Sequence, residues 1–451
     1  MAETMAWNER LRALEARLWE SADALRSNSK LTSSQYCMPV MGLIFLRYAW
    51  GRFRRQTEKL EQKRKNNPNS RSRDIDDIEK ADYTGNGVLW LPEAARYDRL
   101  AALPGDENLA EALNAAMAAI EAESPDLAGV LPKQYGELPP AILADLVRTF
   151  NDPVLDTIGG DVFGRIYEYF LQKFAPTASA TDGVFFTPKC LVKLIVEVVE
   201  PSGGKIFDPA CGSGGMFIQS GDFIRSETGA DNPNLTATFY GQEKVERNAR
   251  LCLMNMAVHG LEAHIASGNE ANSFYHDVFN LEGQCDTVMA NPPFNVDAVS
   301  AELAEAAGRL PFGLPKVNKE KSVSNANYLW VSYFYAYLKN TGRAGFVMPS
   351  SATDSDAKGE DRAIREKLLA TGHVDVIVSV GNNFFYTKSL PCTLWFFDKG
   401  KAKDRQDTVL FLDAREVYTP VSRRINEWSP WQLRNLAAIV RLYRGRKDDY
   451  A

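Results

Sequence analysis

The sequence predicts an α/β chain, a largely parallel sheet preceded by an all-helical N-terminal region. Three observations carry that expectation. Short apolar runs alternate with helical patterns from about residue 185 to 400, apolar residues before residue 150 recur at helical spacing, and one strand ends in the glycine-rich turn DPACGSGGMF. Alternation of strand and helix is the mark of a sheet whose parallel neighbours are joined by crossover helices.

Up to about residue 150 the pattern is helical: Leu11, Leu14 and Leu18 recur at helical spacing, and LAEALNAAMAAIEA (109–122) is rich in helix formers. Between them lies the basic stretch GRFRRQTEKLEQKRKNNPNSRSRD, with Arg52, Arg54, Arg55, Lys59, Lys63, Arg64 and Lys65. It reads either as a solvated helix face running into a loop or as a nucleic-acid contact. Further on, KIFDPA, TFYGQE, HIASGN, DTVMAN, AGFVMP, VDVIVSV and TLWFFD are the strand candidates, and VERNARLCLMNMAVHG and NYLWVSYFYAYLKN the clearest intervening helices. Thr187 and Pro188 are expected as N-cap and first residue of a helix whose buried stripe is Leu191, Leu194, Ile195 and Val198. A last helix begins with Ser429 as N-cap, Pro430 behind it and Gln432 completing a capping box, and Gly445 stops it.

Bulk composition narrows the class. A chain of 451 residues with 45% hydrophobic content carries two or three domains. No apolar run approaches the roughly 18 to 20 residues that span a bilayer, and the charged N-terminus MAETMAWNERLRALEARLWE does not read as a signal peptide. The six cysteines form neither a C-x-x-C pair nor a cluster with metal-ligand spacing, so a cytoplasmic protein without structural zinc is expected. The formal net charge of −6 is unlike that of a self-sufficient DNA binder.

The glycine turn from Asp208 to Phe217 follows a strand and precedes a helix, where glycines let backbone approach a ligand. It is not a Walker A loop, since no Gly-Lys-Ser/Thr follows, and the dinucleotide fingerprint fails because Phe217 stands at the third glycine position. A tight turn without a ligand remains the plain alternative. The next strand ends in Glu243, whose carboxylate is placed to accept from both hydroxyls of a ribose. Ligands in open α/β sheets bind outside the carboxyl ends of the strands, so Gly212–Gly215, Glu243, Asn269 and Asn291 are expected to face one crevice suited to a nucleoside without a pyrophosphate. The helix start at Thr187 would attract a carboxylate.

A nucleoside joined to an amino-acid carboxylate describes S-adenosylmethionine, and here a family resemblance is plain. With FFTPK, DPACGSGG, GQE and NPPF in that order, the chain resembles the N6-adenine DNA methyltransferases of the γ arrangement. DVFGRIYEYFLQKFA, FFTP, DPACGSGGMF and GQE make it more closely similar to the modification subunits of type I restriction–modification systems, from about residue 150 to 400. The resemblance implies a Rossmann-like S-adenosylmethionine-dependent methyltransferase sheet at 151–420, after a helical domain at 1–150 and before a helical tail at 421–451. It implies cofactor contacts from Val184, Phe185, Phe186, Thr187, Pro188, Lys189, Asp208, Ala210, Gly212, Ser213, Gly214, Gly215, Glu243 and Asn269. Two positions depart from the family pattern: Asn269 stands where relatives often have Asp, and Phe186 where they often have Tyr.

The tetrapeptide Asn291-Pro292-Pro293-Phe294 then has a chemical reading beyond a rigid turn. An adenine N6 amine is a weak nucleophile because its lone pair is delocalised into the ring. The Asn291 side-chain oxygen and the Pro292 carbonyl, each accepting one N–H, favour a pyramidal nitrogen aimed at the methyl group. Pro292 and Pro293 fix that geometry beforehand, and such positioning contributes several kcal/mol, up to about 7–11 at best. Phe294 offers a stacking face, and the resemblance places Phe385, beside Tyr386, against the extruded base; a hydrophobic hairpin between two late strands is the plain alternative there. Flipping a base costs roughly a few kcal/mol, and stacking on an aromatic ring returns about 1–3. Cys392, after Pro391, and Cys211 are read as packing residues, because amine methylation needs no covalent intermediate.

Rivals are N4-cytosine methylation, protein-glutamine methylation, and a non-catalytic scaffold retaining the fold. The family resemblance also implies partners: double-stranded DNA, a specificity subunit shared by two modification subunits, and a restriction subunit. Segment 52–73 and the loop bearing Lys316, Lys319 and Lys321 are candidate phosphate contacts, and helix 430–444 either docks on the specificity subunit or packs internally.

Overall fold

The computed structural model of the protein describes residues 13–25, 31–66, 78–104, 108–157, 164, 166–174, 187–229, 232–353, 359–385 and 389–446. Contacts divide the chain into two units, Met1–Val184 with Leu253–Gly260, and Phe185–Cys252 with Leu261–Ala451.

The first unit is helical in its described residues. A helix at 13–25 buries Leu14, Leu18, Ala22 and Leu25, one per turn; Leu11 lies outside the described residues. It is followed by α1 (Ser33–Asn66), α2 (Leu109–Glu123) and α3 (Pro140–Phe150). Asn108 caps α2 by accepting from the Glu111 amide, and Leu113, Ala116, Met117 and Ile120 form its buried face. Helix α3 buries Leu143, Leu146, Val147 and Phe150, and the buried Arg47 of α1 donates from Nε to the Phe150 carbonyl at 3.0 Å. The basic stretch, as far as Asn66, is the second half of α1, where Arg54 pairs with Glu58 one turn on at 3.5 Å.

The second unit is built on an eight-stranded sheet. Helix α4 (Lys189–Val199) leads into β1 (Gly204–Asp208), α5 (Gly215–Thr228), β2 (Ala237–Glu243), α6 (Glu246–Val258, of which this unit holds the part up to Cys252), β3 (Ala263–Ser267) and β4 (Cys285–Ala290). The short strands β5 (Val299–Ser300) and β6 (Ser322–Val323) pair with each other, and α7 (Asn327–Tyr337) follows. Then come β7 (Leu338–Pro349), α8 (Glu360–Ala370), β8 (Val374–Val380), β9 (Cys392–Asp398) and β10 (Leu410–Ala414). A separate hairpin, β11 (Thr419–Ser422) with β12 (Ile425–Glu427), precedes α9 (Pro430–Tyr443).

The strand order is β10-β8-β9-β7-β4-β1-β2-β3, with β9 antiparallel to its neighbours and every other pairing parallel. Strand β1 lies between β2 and β4, so the chain reverses its direction of winding there and leaves a crevice at the carboxyl edge. All seven expected strands are present. Strand β10 was not expected: LFLDA alternates between half-buried and exposed positions and takes its identity from pairing with β8. Strand β9 is buried at every residue, as a strand covered on both faces must be. Helix α7 packs on β4 and β7 and is apolar all round, burying Tyr328, Leu329, Trp330, Val331, Tyr333, Phe334 and Tyr337.

Two helix ends need comment. Thr187 is not the N-cap of α4; Pro188 holds that position with extended backbone, and the Thr187 hydroxyl is engaged elsewhere, as described below. Helix α9 starts as expected, with the reciprocal Ser429–Gln432 capping box, and packs on α4 through Leu436, Ala437 and Val440. Arg441 and Arg444 latch it to Glu197 at 2.8 Å and Asp375 at 2.9 Å.

Candidate active site

Strand β1 delivers Asp208 to the crevice and stops there. In the turn that follows, Gly212 and Gly214 adopt left-handed φ values of 54° and 79°. A Cβ on Gly214 would lie 2.8 Å from Sγ of Cys252 in α6, so no larger residue fits without displacement. Cys211, 5% exposed, packs against Gly241 of β2, in keeping with a packing role. From behind, Ser273 donates to the Pro209 carbonyl at 2.6 Å and accepts from the fully buried Gln242 at 2.9 Å. Neither Ser273 nor Gln242 was singled out in the sequence, because a turn's supports are not its neighbours along the chain.

Glu243 closes the turn from the next strand. Its carboxylate accepts from the Gly212 amide at 3.0 Å and the Val245 amide at 2.8 Å. Burial nonetheless pushes its carboxyl above the usual range, against the lowering effect of those two amides. Asp208 is 2% exposed and accepts from the Ala210 amide at 2.9 Å. Burial raises its carboxyl well above the ordinary value, and the charge of Glu243 adds to the rise. Two carboxyl groups beside a glycine turn, both shifted by burial, mark the turn as a candidate ligand site. Asn269, exposed just past the end of β3, stands at the same edge, where the Gly268 amide donates to the Glu243 carbonyl at 3.2 Å.

Strand β4 ends at Ala290, and Asn291 follows beside the crevice. Its Nδ2 donates to Oγ1 of Thr187 at 3.0 Å. Its Oδ1 is buried and has no hydrogen-bond partner among the described residues. An unpaired buried acceptor costs about 1–3 kcal/mol, so Oδ1 of Asn291 has room in its hydrogen bonding for a donor. Pro292 is buried, Pro293 exposed, and the half-buried Phe294 meets Phe385 edge-on, with ring centroids 6.2 Å apart at 89°. Asn295, in a left-handed conformation (φ 54°), is clamped by Asn327: its amide donates to Asn327 Oδ1, and its Oδ1 accepts from Asn327 Nδ2, both at 2.9 Å. The signal for that clamp in the sequence was a lone asparagine opening an otherwise apolar helix.

Phe385 comes from the loop after β8. Its neighbour Phe384 is fully buried, 4.9 Å from the Trp428 ring. Lys189 opens α4 next to Pro188, and Ala210, Ser213 and Gly215 sit half-buried around the turn. Val184, Phe185, Phe186 and Tyr386 lie outside the described residues. Cys392 opens β9 at 1% exposure, with its thiol pushed up by burial, as suits a structural residue.

Comparison with known proteins decides what this arrangement belongs to. The N-6 DNA methylase family matches residues 159–451, and the HsdM N-terminal domain matches residues 14–150. The chain belongs to the N6-adenine DNA methylases of type I restriction systems. This type I methylase is 35% identical over 449 residues to the type I restriction enzyme MjaIX methylase subunit of Methanocaldococcus jannaschii, covering 96% of the chain and 78% of the relative. It is 31% identical over 323 residues to the HindI methylase subunit of Haemophilus influenzae, covering 68% of the chain and 69% of the relative. Its fold matches that of a type I restriction–modification methyltransferase subunit from Streptococcus thermophilus, with a TM-score of 0.74, 21% identity, and 97% and 93% of the two chains covered. The methylase uses S-adenosylmethionine, and the crevice fits it: the buried Asp208, the half-buried Glu243 at the end of the second strand, and a glycine turn closed to side chains.

Proposed function

We propose that this methylase holds a flipped-out adenine between Phe294 and Phe385, with the Asn291 Oδ1 and the Pro292 carbonyl as the two acceptors of its N6 amine. The observation that carries the reading is the buried, unpaired Oδ1 of Asn291, fixed in orientation by the bond from its own Nδ2 to Thr187. An amide that binds a hydroxyl with its donor end leaves its acceptor end for the substrate. Base stacking, worth about 1–3 kcal/mol, exceeds the edge-on contact of Phe294 and Phe385, worth about 0.5–1.5 kcal/mol, and the surplus offsets part of the cost of flipping, roughly a few kcal/mol.

In the cofactor crevice, Asp208 would face the ammonium, Glu243 the ribose hydroxyls, Asn269 the cofactor's adenine, and Gly212 to Gly215 would let the backbone come close. When bound, S-adenosylmethionine supplies an electrophilic methyl carbon: the N6 lone pair forms the new N–C bond, the C–S pair stays on sulfur, and the surplus N6 proton leaves to water. The chain's own part is to orient the amine, exclude bulk water from it, and keep Oδ1 of Asn291 pointed at it. Type I methylase subunits act on DNA together with specificity and restriction subunits. For this chain we infer two modification subunits to one specificity subunit, and a cytoplasmic site, in keeping with six free cysteines among the described residues.

The test is Asn291→Ala in the complex with its specificity subunit, with labelled cofactor and digestion of the DNA to nucleosides. Wild type should place label in N6-methyladenine, and the variant should bind cofactor normally while turning over about 10²–10³-fold more slowly, the loss typical of removing one preorganised hydrogen-bonding group. Label in N4-methylcytosine, or unchanged turnover in the variant, would overturn the assignment.

A further inference from the structure

The hairpin β11–β12 is not explained by the sheet or by its helices. All four residues of β11 are exposed and those of β12 half-buried, and a bulge in the pairing falls between Pro420 and Ser422. Proline has no amide to give to a ladder, and the outward edge of β12 bonds elsewhere. The Asn426 amide donates to the Asn383 carbonyl at 2.7 Å, and its Nδ2 donates to the Asn382 carbonyl at 3.1 Å. Asn382 and Asn383 immediately precede Phe384 and Phe385. At the base of the hairpin, Trp428 packs on Phe384 and donates from Nε1 to the Val417 carbonyl at 2.7 Å. The hairpin is thus tied to the loop that presents Phe385 by two hydrogen bonds and an aromatic pair.

Its position follows from topology. Strands β8 and β10 are parallel to β4, so the Phe385 loop and the hairpin leave the sheet at the edge where Asn291 stands. The two residues at the tip are Arg423 and Arg424, both exposed. Neither guanidinium makes a hydrogen bond or ion pair among the described residues. In the flanking segments, by contrast, Arg415 binds Asp413, Arg441 binds Glu197, Arg444 binds Asp375 and Arg446 binds Glu200. Glu427 lies at the open end of the hairpin, opposite Thr419 and away from the tip.

We propose that this hairpin is a DNA-backbone contact, with Arg423 and Arg424 each taking a phosphate of the target strand beside the flipped nucleotide. Extruding a base swings its sugar about the flanking phosphates, and those phosphates need fixed positive charge near the pocket mouth. Guanidinium forks suit phosphate oxygens bidentately. In a chain of net charge −6, such charge has to be placed locally. Contacts to phosphate carry no sequence information, so the same tip serves any target that a separate specificity subunit selects. This inference rests on the reading of Phe385 as a wall of the base pocket.

The experiment is the double variant Arg423→Ala/Arg424→Ala in the complex with the specificity subunit. The Kd for a target duplex is measured at several salt concentrations from about 50 to 200 mM, together with turnover at saturating DNA and the identity of the methylated base. Two lost phosphate contacts should flatten the plot of log affinity against log salt by about 1.8, so the deficit of the variant shrinks about tenfold across that range. R423K/R424K should keep the slope, and cofactor affinity should not change. An unchanged slope in the alanine variant overturns the proposal, as does loss of assembly with the specificity subunit, which would make the tip a protein contact. If instead the wild-type product were not N6-methyladenine, the parent reading would fall, independently of the slope.

Discussion

Thr187 acts on Asn291 across 104 positions of sequence, and the bond between them holds the amide with its oxygen turned away from the hydroxyl, as the proposed role of Asn291 requires. A hydrogen bond of this kind is worth about 0.5–1.5 kcal/mol. Thr187→Val should therefore lower kcat by about 2- to 13-fold at saturating cofactor, and Thr187→Ser should restore it; equal rates in all three proteins would show the bond to be idle. Asp208 and Glu243 both accept from amides of the glycine turn. Both carboxyls hold protons more tightly in the folded chain than in an unfolded one. The unliganded chain therefore has its full share of this stability below the ordinary carboxylate range and loses it as pH rises through the raised values. A cationic ligand favours the ionised forms, so its binding expels protons where the carboxyls are still protonated. Cofactor affinity should rise with pH and then level off, and calorimetry in buffers of different ionisation enthalpy should detect proton release. Net proton uptake would contradict this picture.

At the scale of elements, the glycine turn couples β1, β2 and α6. An alanine at position 214 meets both a left-handed backbone, costing roughly 1–2 kcal/mol, and a Cβ 2.8 Å from the Cys252 sulfur. Gly214→Ala should lower the denaturation midpoint and weaken cofactor binding together; an unshifted midpoint would mean that the turn relaxes freely. The turn itself was legible because strand, glycines and helix follow one another along the chain. The seven apolar strands were legible for the same reason. Strand β10 and the hairpin were not: the apolar run 409–412 is half-buried or exposed at the edge of the sheet, TPVSRRINE has no apolar run, and each is defined by partners that local propensity does not name. The sequence context of Thr187 suits a helix cap, whereas Pro188 takes the cap position and leaves the Thr187 hydroxyl to Asn291.

For the whole molecule, the formal charge of −6 sets the terms of DNA binding. The basic stretch 52–66 is part of a long helix in which at least one arginine is already paired. By itself the chain should bind duplex DNA weakly and without sequence preference, and adding the specificity subunit should raise affinity and confer preference. Binding assays on matched and scrambled duplexes, with and without that subunit, would check this; tight, selective binding by the isolated chain would refute it. The order of residues along the chain was enough to place Asp208, Glu243 and Asn291 at strand ends, because a strand, its turn and its helix are continuous in the chain. Only the tertiary structure decided that Thr187 orients Asn291, that Phe385 faces Phe294, and that a hairpin buttresses the Phe385 loop. Those pairs are set by packing between segments tens to a hundred residues apart, and local propensity does not fix a contact at that range.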